Sequence, residues 1–469
     1  MLHTALLALC VLGPLQESSA ESSAWRQYAT PEGAGFSSER LGQAWELADR
    51  IGSAAVFAVY RGHALLAWGE VERRYECHSV RKSLMSALLG LAVTHGELRT
   101  TDTLAELGID DLEGLSEAEK RATVVDLLGS RSGVYHPAAK EPGDMRAERP
   151  ARGSHAPGEF FFYNNWDFNV LGTILEHATK TCVAAAFEDE LARPLGMQDF
   201  RARDVFAELA PSYSRYPAHA FRLSARDLAR FGELYRAGGR WQGRELLPAS
   251  WVERSTTPHP AFDDGEGYGY LWWTYRAGSL PSYPSLNAHD LFAARGTGGQ
   301  FLLVVPGAEF VFVHRADTDA EREVRGPDCW RLAEQVLAAH TGTASAEPAL
   351  TELHVERFTN PAPARADHVP VALDPAVYSG LVGEYEYPGM RVRVFVHAGR
   401  LFAHRSDGDE MELLPLSSTR YFLFTTSLEI EFEFECDGAG RARAARLTTP
   451  HGTLEGARVD ERASPPRGK

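Results

Sequence analysis

The chain has 469 residues, enough for two or three domains with a large hydrophobic core. Apolar residues make up 44% of it, which is ordinary for a globular protein, and the formal net charge is −16. Because an acidic chain is repelled by nucleic-acid backbones, we discount nucleic acid as a partner. After the N-terminal segment, no run reaches the roughly 18 apolar residues that a membrane-spanning helix requires.

The N-terminus predicts a signal peptide over residues 1–20. A short apolar core at 6–12 is followed by Ser-Ser-Ala at 18–20, although no Lys or Arg precedes the core. We therefore expect a secreted or periplasmic protein, with a cytoplasmic location as the alternative. The five cysteines are widely spaced and form no Cys-x-x-Cys pair, so they indicate neither a disulfide-dense scaffold nor a zinc site.

Residues 21–340 predict one α+β domain. Hydrophobic periodicity and turn signals place helices and strands in the order helix, hairpin, helices, strands, helix. The predicted helices are 37–50, 78–93, 166–178, 182–191, 228–235 and 330–340, and the predicted strands are 54–60, 64–69, 292–305 and 310–314. This order favours one antiparallel sheet flanked by helices, together with a helical subdomain.

Residues 341–374 are rich in Ala, Pro and Thr and predict a linker. Beyond them, short strands separated by turns predict a small antiparallel β barrel or sandwich over residues 375–463. Its predicted strands are 391–396, 400–404, 411–414, 421–425, 429–434 and 444–448. This part of the sequence contains no catalytic constellation, so we expect it to serve packing and stability.

The helix at 78–93 begins with the pattern Ser-x-x-Lys, formed by Ser79 and Lys82. The helix is apolar around most of its circumference, which indicates a core helix, and the two side chains share one of its faces. Burying a lysine is costly unless its pKa falls, and such a lysine supplies the base that a serine nucleophile needs. The pattern by itself is equally consistent with a capping serine beside a solvated lysine.

A second motif, Tyr163 and Asn165, stands two residues apart in the aromatic-rich stretch 160–167. A tyrosine whose proton is drawn towards a lysine can act as general base for a serine. An asparagine amide can hold a substrate carbonyl. The alternative is an aromatic core strand that ends in an Asx turn.

A third motif, Ala-Ala-Arg-Gly-Thr-Gly-Gly-Gln at 293–300, leads into an apolar strand. Glycines let a ligand lie against the backbone and leave N–H groups free for an oxyanion hole, although a β-bulge is the alternative. A phosphate-binding loop does not fit, because no Lys-Ser/Thr pair follows the glycines. The sequence contains neither His-Glu-x-x-His nor Gly-x-Ser-x-Gly, so a zinc protease or an α/β-hydrolase has no support.

In this order, the three motifs resemble those of the serine β-lactamase and penicillin-binding-protein superfamily. The resemblance is to its class C β-lactamase, esterase and 6-aminohexanoate-dimer hydrolase side, and it covers residues 25–340. Four further stretches support it: 127–134, 163–172, 193–197 and 224–232. The tail beyond residue 375 is similar to the small β domains appended to some of these hydrolases.

The resemblance implies an acyl-enzyme formed on Ser79. Lys82 and Tyr163 would share the proton transfers, Tyr163 would also return a proton to the leaving group, and Asn165 would hold the acyl part. No metal or cofactor is needed for this chemistry. The expected partner is a small-molecule ester, amide or peptide-like substrate, and the oligomeric state is left open.

The oxyanion hole implied by the resemblance combines the N–H of Ser79 with that of Thr297, which follows the closing glycine Gly296. Members of the family often carry Lys or His two residues before that glycine, whereas here Arg295 is adjacent to it. The missing cation weakens the case for a substrate carboxylate, so we favour esters and unusual amides. Tyr135 and His136 are candidates for the site wall. His136 begins a long loop at 136–157, and Tyr135 immediately precedes this loop.

Two alternatives remain at this point. One is a β-lactamase or a peptidase acting on D-amino acids, which would use the same three motifs. The other is a non-catalytic protein that keeps the fold and binds a ligand or a cell-wall fragment, which the altered third motif would suit.

Overall fold

The computed structural model describes residues 24–259, 265–342, 344–345, 347–359, 368–405, 410–424, 429–449 and 452–459. The predicted signal peptide, residues 1–20, lies outside the described residues. Within those ranges, we find no helix with the length and apolar character needed to cross a membrane.

The secondary structure follows the predicted order of helix, hairpin, helices, strands and helix. The N-terminal part contains β1 (Arg26–Tyr28), α1 (Ser38–Arg50), β2 (Ala55–Tyr60), β3 (His63–Gly69), β4 (Tyr75–Glu76) and α2 (Arg81–Thr94). The mainly helical middle contains α3 (Val124–Leu128), α4 (Gly143–Glu148), α5 (Asn165–Thr179), α6 (Val183–Phe187), α7 (Arg193–Leu195), β5 (Val205–Glu208), β6 (Ala218–Leu223), α8 (Ala225–Arg236), β7 (Arg240–Trp241), β8 (Arg244–Glu245) and α9 (Ala249–Ser255). The chain then forms β9 (Glu266–Tyr268), β10 (Trp273–Tyr275), α10 (Pro284–Asn287), β11 (Leu291–Gly296), β12 (Gln300–Val305), β13 (Phe310–Arg315), α11 (Gly326–Ala338) and β14 (Leu350–Glu352).

A nine-stranded sheet in the order β14-β1-β3-β2-β13-β12-β11-β10-β9 forms the centre of this part. Its neighbouring strands are antiparallel except for β1 and β3, which pair in parallel. Every residue of β2 and β13 is buried, because α1 and α11 cover one face of the sheet and α8 covers the other. The predicted α+β fold, a sheet flanked by helices, is confirmed.

Helix α2 is the core helix that its apolar sequence predicts, with every residue from Arg81 to Ala92 buried. Close packing requires a glycine at Gly90, since a Cβ atom there would lie 2.5 Å from the ring of Trp251. A helix held on all sides places the residues at its start with little freedom. Ser79 lies at that start, in the short 3₁₀ turn His78–Val80.

The prediction of one strand over residues 292–305 is wrong. The structure forms a hairpin instead, in which β11 and β12 are joined by the turn Thr297–Gly299. Gly298 and Gly299 have φ values of 72° and 95°, a left-handed conformation that glycine adopts without steric cost. The chain therefore reverses direction where the apolar pattern alone indicated continuity.

Part of the predicted linker at 341–374 belongs to the sheet. Strand β14 pairs antiparallel with β1, with Thr351 opposite Gln27. Phe358, from the same segment, is buried in the core beside α1. Its composition suggested a linker, but tertiary pairing at the sheet edge makes this segment part of the domain.

The C-terminal part is an antiparallel, nearly closed, barrel-like sheet, as predicted. Its strands are β15 (Gly383–Tyr387), β16 (Met390–His397), β17 (Arg400–Arg405), β18 (Glu410–Glu412), β19 (Leu414–Pro415), β20 (Arg420–Phe424), β21 (Glu429–Cys436), β22 (Ala442–Thr449) and β23 (Gly452–Val459). They follow the order β18-β17-β16-β15-β23-β22-β21-β20-β19 around a separate core that includes Tyr385, Tyr421 and Phe434. We refer to this sheet as the barrel.

Candidate active site

A cleft of about 870 Å³ opens between the start of α2, the loop that contains α4, and the β11–β12 hairpin. Seven of the eight predicted site residues line it: Ser79, Lys82, Tyr163, Asn165, Arg295, Gly296 and Thr297. They come from three stretches that are far apart in the sequence. The structure therefore brings the three predicted motifs together in one cleft.

His78, the residue before Ser79, holds the turn that carries the nucleophile. His78 has a φ of 46°, a left-handed conformation that is costly for a residue with a side chain. Its buried ring places Nε2 2.9 Å from the hydroxyl of Thr318 and Nδ1 3.7 Å from the carboxylate of Glu76. Burial lowers the pKa of His78 to about 4, so the ring is neutral at pH 7 and supports the turn without a charge.

Lys82 reaches the nucleophile directly, with Nζ donating a hydrogen bond of 2.7 Å to the Ser79 oxygen. The same nitrogen lies 4.6 Å from the ring centroids of both Tyr163 and Phe168. These aromatic faces enclose the amino group and exclude water from it. The spacing of three residues places the two side chains as the sequence predicted.

The pKa of Lys82 lies well below its usual value, principally because the group is removed from water and also because Arg81 and Lys140 place positive charge nearby. Both causes disfavour the ammonium form. A lysine in this setting can take a proton near neutral pH, which an exposed lysine cannot do.

Tyr163 also interacts with the nucleophile. Burial raises its pKa to about 12, although the interaction with the Ser79 hydroxyl acts in the opposite direction. Its ring stacks on Trp273 at 5.5 Å and meets Tyr268 edge-on at 5.9 Å. The phenol is therefore neutral at pH 7, so it can relay a proton but is a poor anionic base.

Asn165 is held by a residue that the sequence did not single out. Its Nδ2 donates a hydrogen bond of 2.6 Å to the carbonyl of Lys140, and this contact defines how the amide is turned. The ammonium of Lys140 is in turn bound by the carboxylates of Glu76 and Glu208. Lys140 lines the cleft, but it sits in a loop with no periodic pattern that could have identified it.

The charge of Arg295, whose side chain is 41% exposed, is partly balanced by Glu266. Its guanidinium donates to the Tyr275 hydroxyl at 2.9 Å and to the Glu266 carboxylate at 3.2 Å, and it lies 5.2 Å above the ring of Trp273. A guanidinium with these partners has less attraction left for a substrate anion.

Gly296 brings the third motif against the nucleophile turn. A Cβ atom at this position would lie 2.6 Å from the carbonyl oxygen of Cys77 and 3.2 Å from Cβ of His78. Only glycine lets strand β11 approach the turn this closely. Thr297, the next residue, also lines the cleft.

Tyr135, predicted to bind substrate, is not among the residues that line the cleft. Its hydroxyl lies 3.1 Å from Nδ1 of His155, and its ring packs edge-on against Phe162. His136 is also turned away, buried with its Nε2 3.4 Å from the carboxylate of Glu119. Neither of these two predicted wall residues lines the cleft: Tyr135 packs behind the lining residue Phe162, and His136 is paired with the buried Glu119.

The wall is built by residues further along the same loop and by aromatic side chains. Lining residues that the sequence analysis did not name as site residues include Arg81, Lys140, Met145, Phe161, Trp273 and Trp330. The aromatic run at 160–162 was visible as a pattern, whereas Met145 and Trp330 carried no signal that distinguishes a cleft from a core. Within the described part of the chain, no group of three or more His, Cys, Asp or Glu side chains is placed to hold a metal ion.

The site therefore lies in a sheet flanked by helices, with a serine and a lysine in hydrogen-bond contact at the start of the central core helix. The family model described as Beta-lactamase matches residues 26–336, which is more than half of the chain. The chain therefore belongs to the beta-lactamase family, whose fold is that of serine hydrolases.

Several solved structures are similar to this chain, each with a TM-score of 0.48. The crystal structure of SurE with D-Leu shares 20% identity and is matched over 90% of this chain and 99% of its own. The octameric penicillin-binding protein homologue from Pyrococcus abyssi shares 15% identity, over 89% of this chain and 99% of its own. EstCE1, described as a hydrolase with promiscuous acyltransferase activity, shares 16% identity, over 66% of this chain and 99% of its own. No curated protein sequence matches the chain.

Proposed function

We propose that the protein is a serine hydrolase that cleaves ester or amide bonds through an acyl-enzyme on Ser79. The observation that carries this proposal is the 2.7 Å hydrogen bond between Lys82 Nζ and the Ser79 oxygen. It occurs where burial and neighbouring cations lower the pKa of the lysine. A serine activated by such a base is the arrangement that nucleophilic catalysis requires.

In the proposed reaction, the Ser79 oxygen attacks the substrate carbonyl while the neutral amine of Lys82 takes the serine proton. Negative charge then develops on the carbonyl oxygen, and the N–H groups of Ser79 and Thr297 stabilise it. Tyr163 relays a proton from Lys82 to the leaving group, which departs and leaves the acyl group on the serine. Attack by water with the same proton transfers in reverse releases the acid and restores the enzyme.

The cleft walls favour substrates with apolar groups over those with a carboxylate. Phe161, Trp273 and Trp330 supply aromatic surface, and Met145 adds a flexible apolar side chain. Arg295, the cation within the third motif, is already paired with Glu266. We therefore place esters and linear amides ahead of β-lactams and D-peptides as substrates.

Covalent labelling by a small fluorophosphonate tests the nucleophile. We expect the wild-type protein to gain one phosphonyl group and the Ser79→Ala variant to gain none, because only an activated hydroxyl reacts with this reagent. The matched control is Ser250→Ala, which removes an exposed serine from α9 and should leave labelling unchanged. Labelling that persists in Ser79→Ala would overturn the assignment, and an unlabelled wild-type protein would favour a ligand-binding role.

The rate of this labelling should depend on pH in a defined direction. Because the pKa of Lys82 is lowered, its amine becomes available as a base when the pH rises through that lowered value. The labelling rate should therefore increase with pH between about pH 5 and about pH 9. A flat profile over this range would exclude Lys82 as the base that deprotonates Ser79.

A further inference from the structure

The barrel contacts the helical part of the molecule through a buried carboxylate. Glu410, at the start of β18, accepts hydrogen bonds from the backbone N–H of Ser212 at 2.9 Å and from its hydroxyl at 2.6 Å. The Glu410 side chain is fully buried, and Arg393 of the barrel lies 3.7 Å from one of its oxygens. Since a buried carboxylate is costly unless it is hydrogen-bonded, Ser212 and Glu410 hold each other in place.

Ser212 belongs to the loop at 209–217, which joins β5 to β6, and the next residue of this loop supports the cleft wall. The ring of Tyr213 lies 5.8 Å from the guanidinium of Arg146 on α4. Tyr213 also packs against the small apolar cluster of Ala139, Ala210 and Ala218, and Ala139 immediately precedes the cleft residue Lys140. Helix α4 in turn presents its remaining face to the cleft through Asp144, Met145 and Glu148.

The same loop is anchored on both sides of Ser212. On one side, Glu208 at the end of β5 accepts a hydrogen bond of 2.5 Å from Lys140, whose carbonyl holds Asn165. On the other side, the Ser214 hydroxyl donates to the Asp111 carboxylate at 2.7 Å, and Trp166, the neighbour of Asn165, donates to the same carboxylate oxygen. Because coupling is carried through packed side chains and hydrogen bonds, we expect a displacement of Ser212 to reach Tyr213 and the wall that Tyr213 supports.

We infer that Glu410 of the barrel is a positioning residue for the cleft wall, and that the barrel thereby determines the size of substrate that the cleft accepts. The contacts run from Glu410 to Ser212, then through Tyr213 to the wall at 139–148. Glu410 supports the wall through these contacts, and no barrel residue that the structure describes is among those that line the cleft. The effect on substrates rests on the proposed function, whereas the effect on the wall does not.

Hydrogen–deuterium exchange of the full chain measures local opening of the cleft wall directly. In Glu410→Ala, we expect exchange in residues 139–148 and 209–217 to be at least about threefold faster, with exchange in α2 unchanged. The control is Glu412→Ala on the same strand, because Glu412 accepts its hydrogen bond from Arg400 inside the barrel. Should Glu410→Ala fail to fold, Ser212→Ala removes the hydroxyl bond from the other side and should give the same pattern.

Steady-state kinetics then distinguish a positioning role for Glu410 from a general loss of folded structure, through the separate effects on KM and kcat. For a series of activated esters of increasing size, Glu410→Ala should raise KM for the largest at least about fivefold and change kcat less than about twofold. Fluorophosphonate labelling of Ser79 should keep its wild-type rate, because the reagent is too small to need the wall. An unlabelled wild-type protein would refute the proposed function while leaving the exchange result decisive. Unchanged exchange at 139–148, or equal acceleration in Glu412→Ala, would overturn the inference about the barrel.

Discussion

Replacing Lys82 by methionine is expected to lower kcat/KM for an activated ester by about 10³-fold. Methionine has a similar length and an unbranched side chain, so it can fill the space between the rings of Tyr163 and Phe168. What it removes is the nitrogen that accepts the proton of Ser79. The measurement is steady-state hydrolysis of the ester at pH 7, compared with the thermal stability of the variant.

Stability should not fall in Lys82→Met, because burying a lysine without a carboxylate partner is unfavourable and the substitution relieves that cost. The control is Lys120→Met, which changes a surface lysine paired with Glu117 and should retain wild-type activity. Activity of Lys82→Met within about tenfold of wild type would show that another group accepts the proton.

Replacing Tyr163 by phenylalanine is expected to lower kcat/KM by about 10²-fold, a smaller loss than that of Lys82→Met. The aromatic ring and its stacking on Trp273 are kept, and only the hydroxyl beside Ser79 is lost. Because this phenol is neutral at pH 7, the variant should lose proton relay to the leaving group and keep the primary base. The deficit should therefore be largest for amides and esters with poor leaving groups, which need a proton most.

Tyr268→Phe is the matched control for this variant. Tyr268 is more deeply buried than Tyr163 and meets its ring edge-on, yet it is not among the residues that line the cleft. Loss of its hydroxyl should therefore leave kcat/KM close to wild type. The double variant Lys82→Met/Tyr163→Phe should be no more than slightly worse than Lys82→Met, since groups that act as one unit are not additive. Equal deficits for good and poor leaving groups would contradict the relay role.

The parts of the site that sequence could predict are those carried by local pattern. Ser79 and Lys82 share a face because three-residue spacing on a helix requires it, and the apolar sequence of α2 predicts its burial. Their meeting with Tyr163 and Arg295 was expected from the family resemblance and not from any local rule. The order of helices and strands followed from periodicity in the same way.

The parts that sequence could not predict depend on tertiary contacts. Tyr135 looked like a wall residue by its position, but a hydrogen bond to His155 turns it away from the cleft. Lys140 is held at the cleft by two carboxylates, those of Glu76 and Glu208, that bind its ammonium. No spacing in the sequence indicates this pairing. Strand β14 forms because the edge of the sheet offers a partner, in a segment whose composition indicated a linker.

Turnover through an acyl-enzyme requires substrate to become covalently attached to Ser79. Rapid acid quenching of the wild-type enzyme with an activated ester, followed by intact mass measurement and peptide mapping, detects this attachment. We predict a mass increase equal to the acyl group, located on the peptide that contains Ser79 and absent from Ser79→Ala. Turnover with no adduct at any quench time, or an adduct on a different residue, would contradict the account.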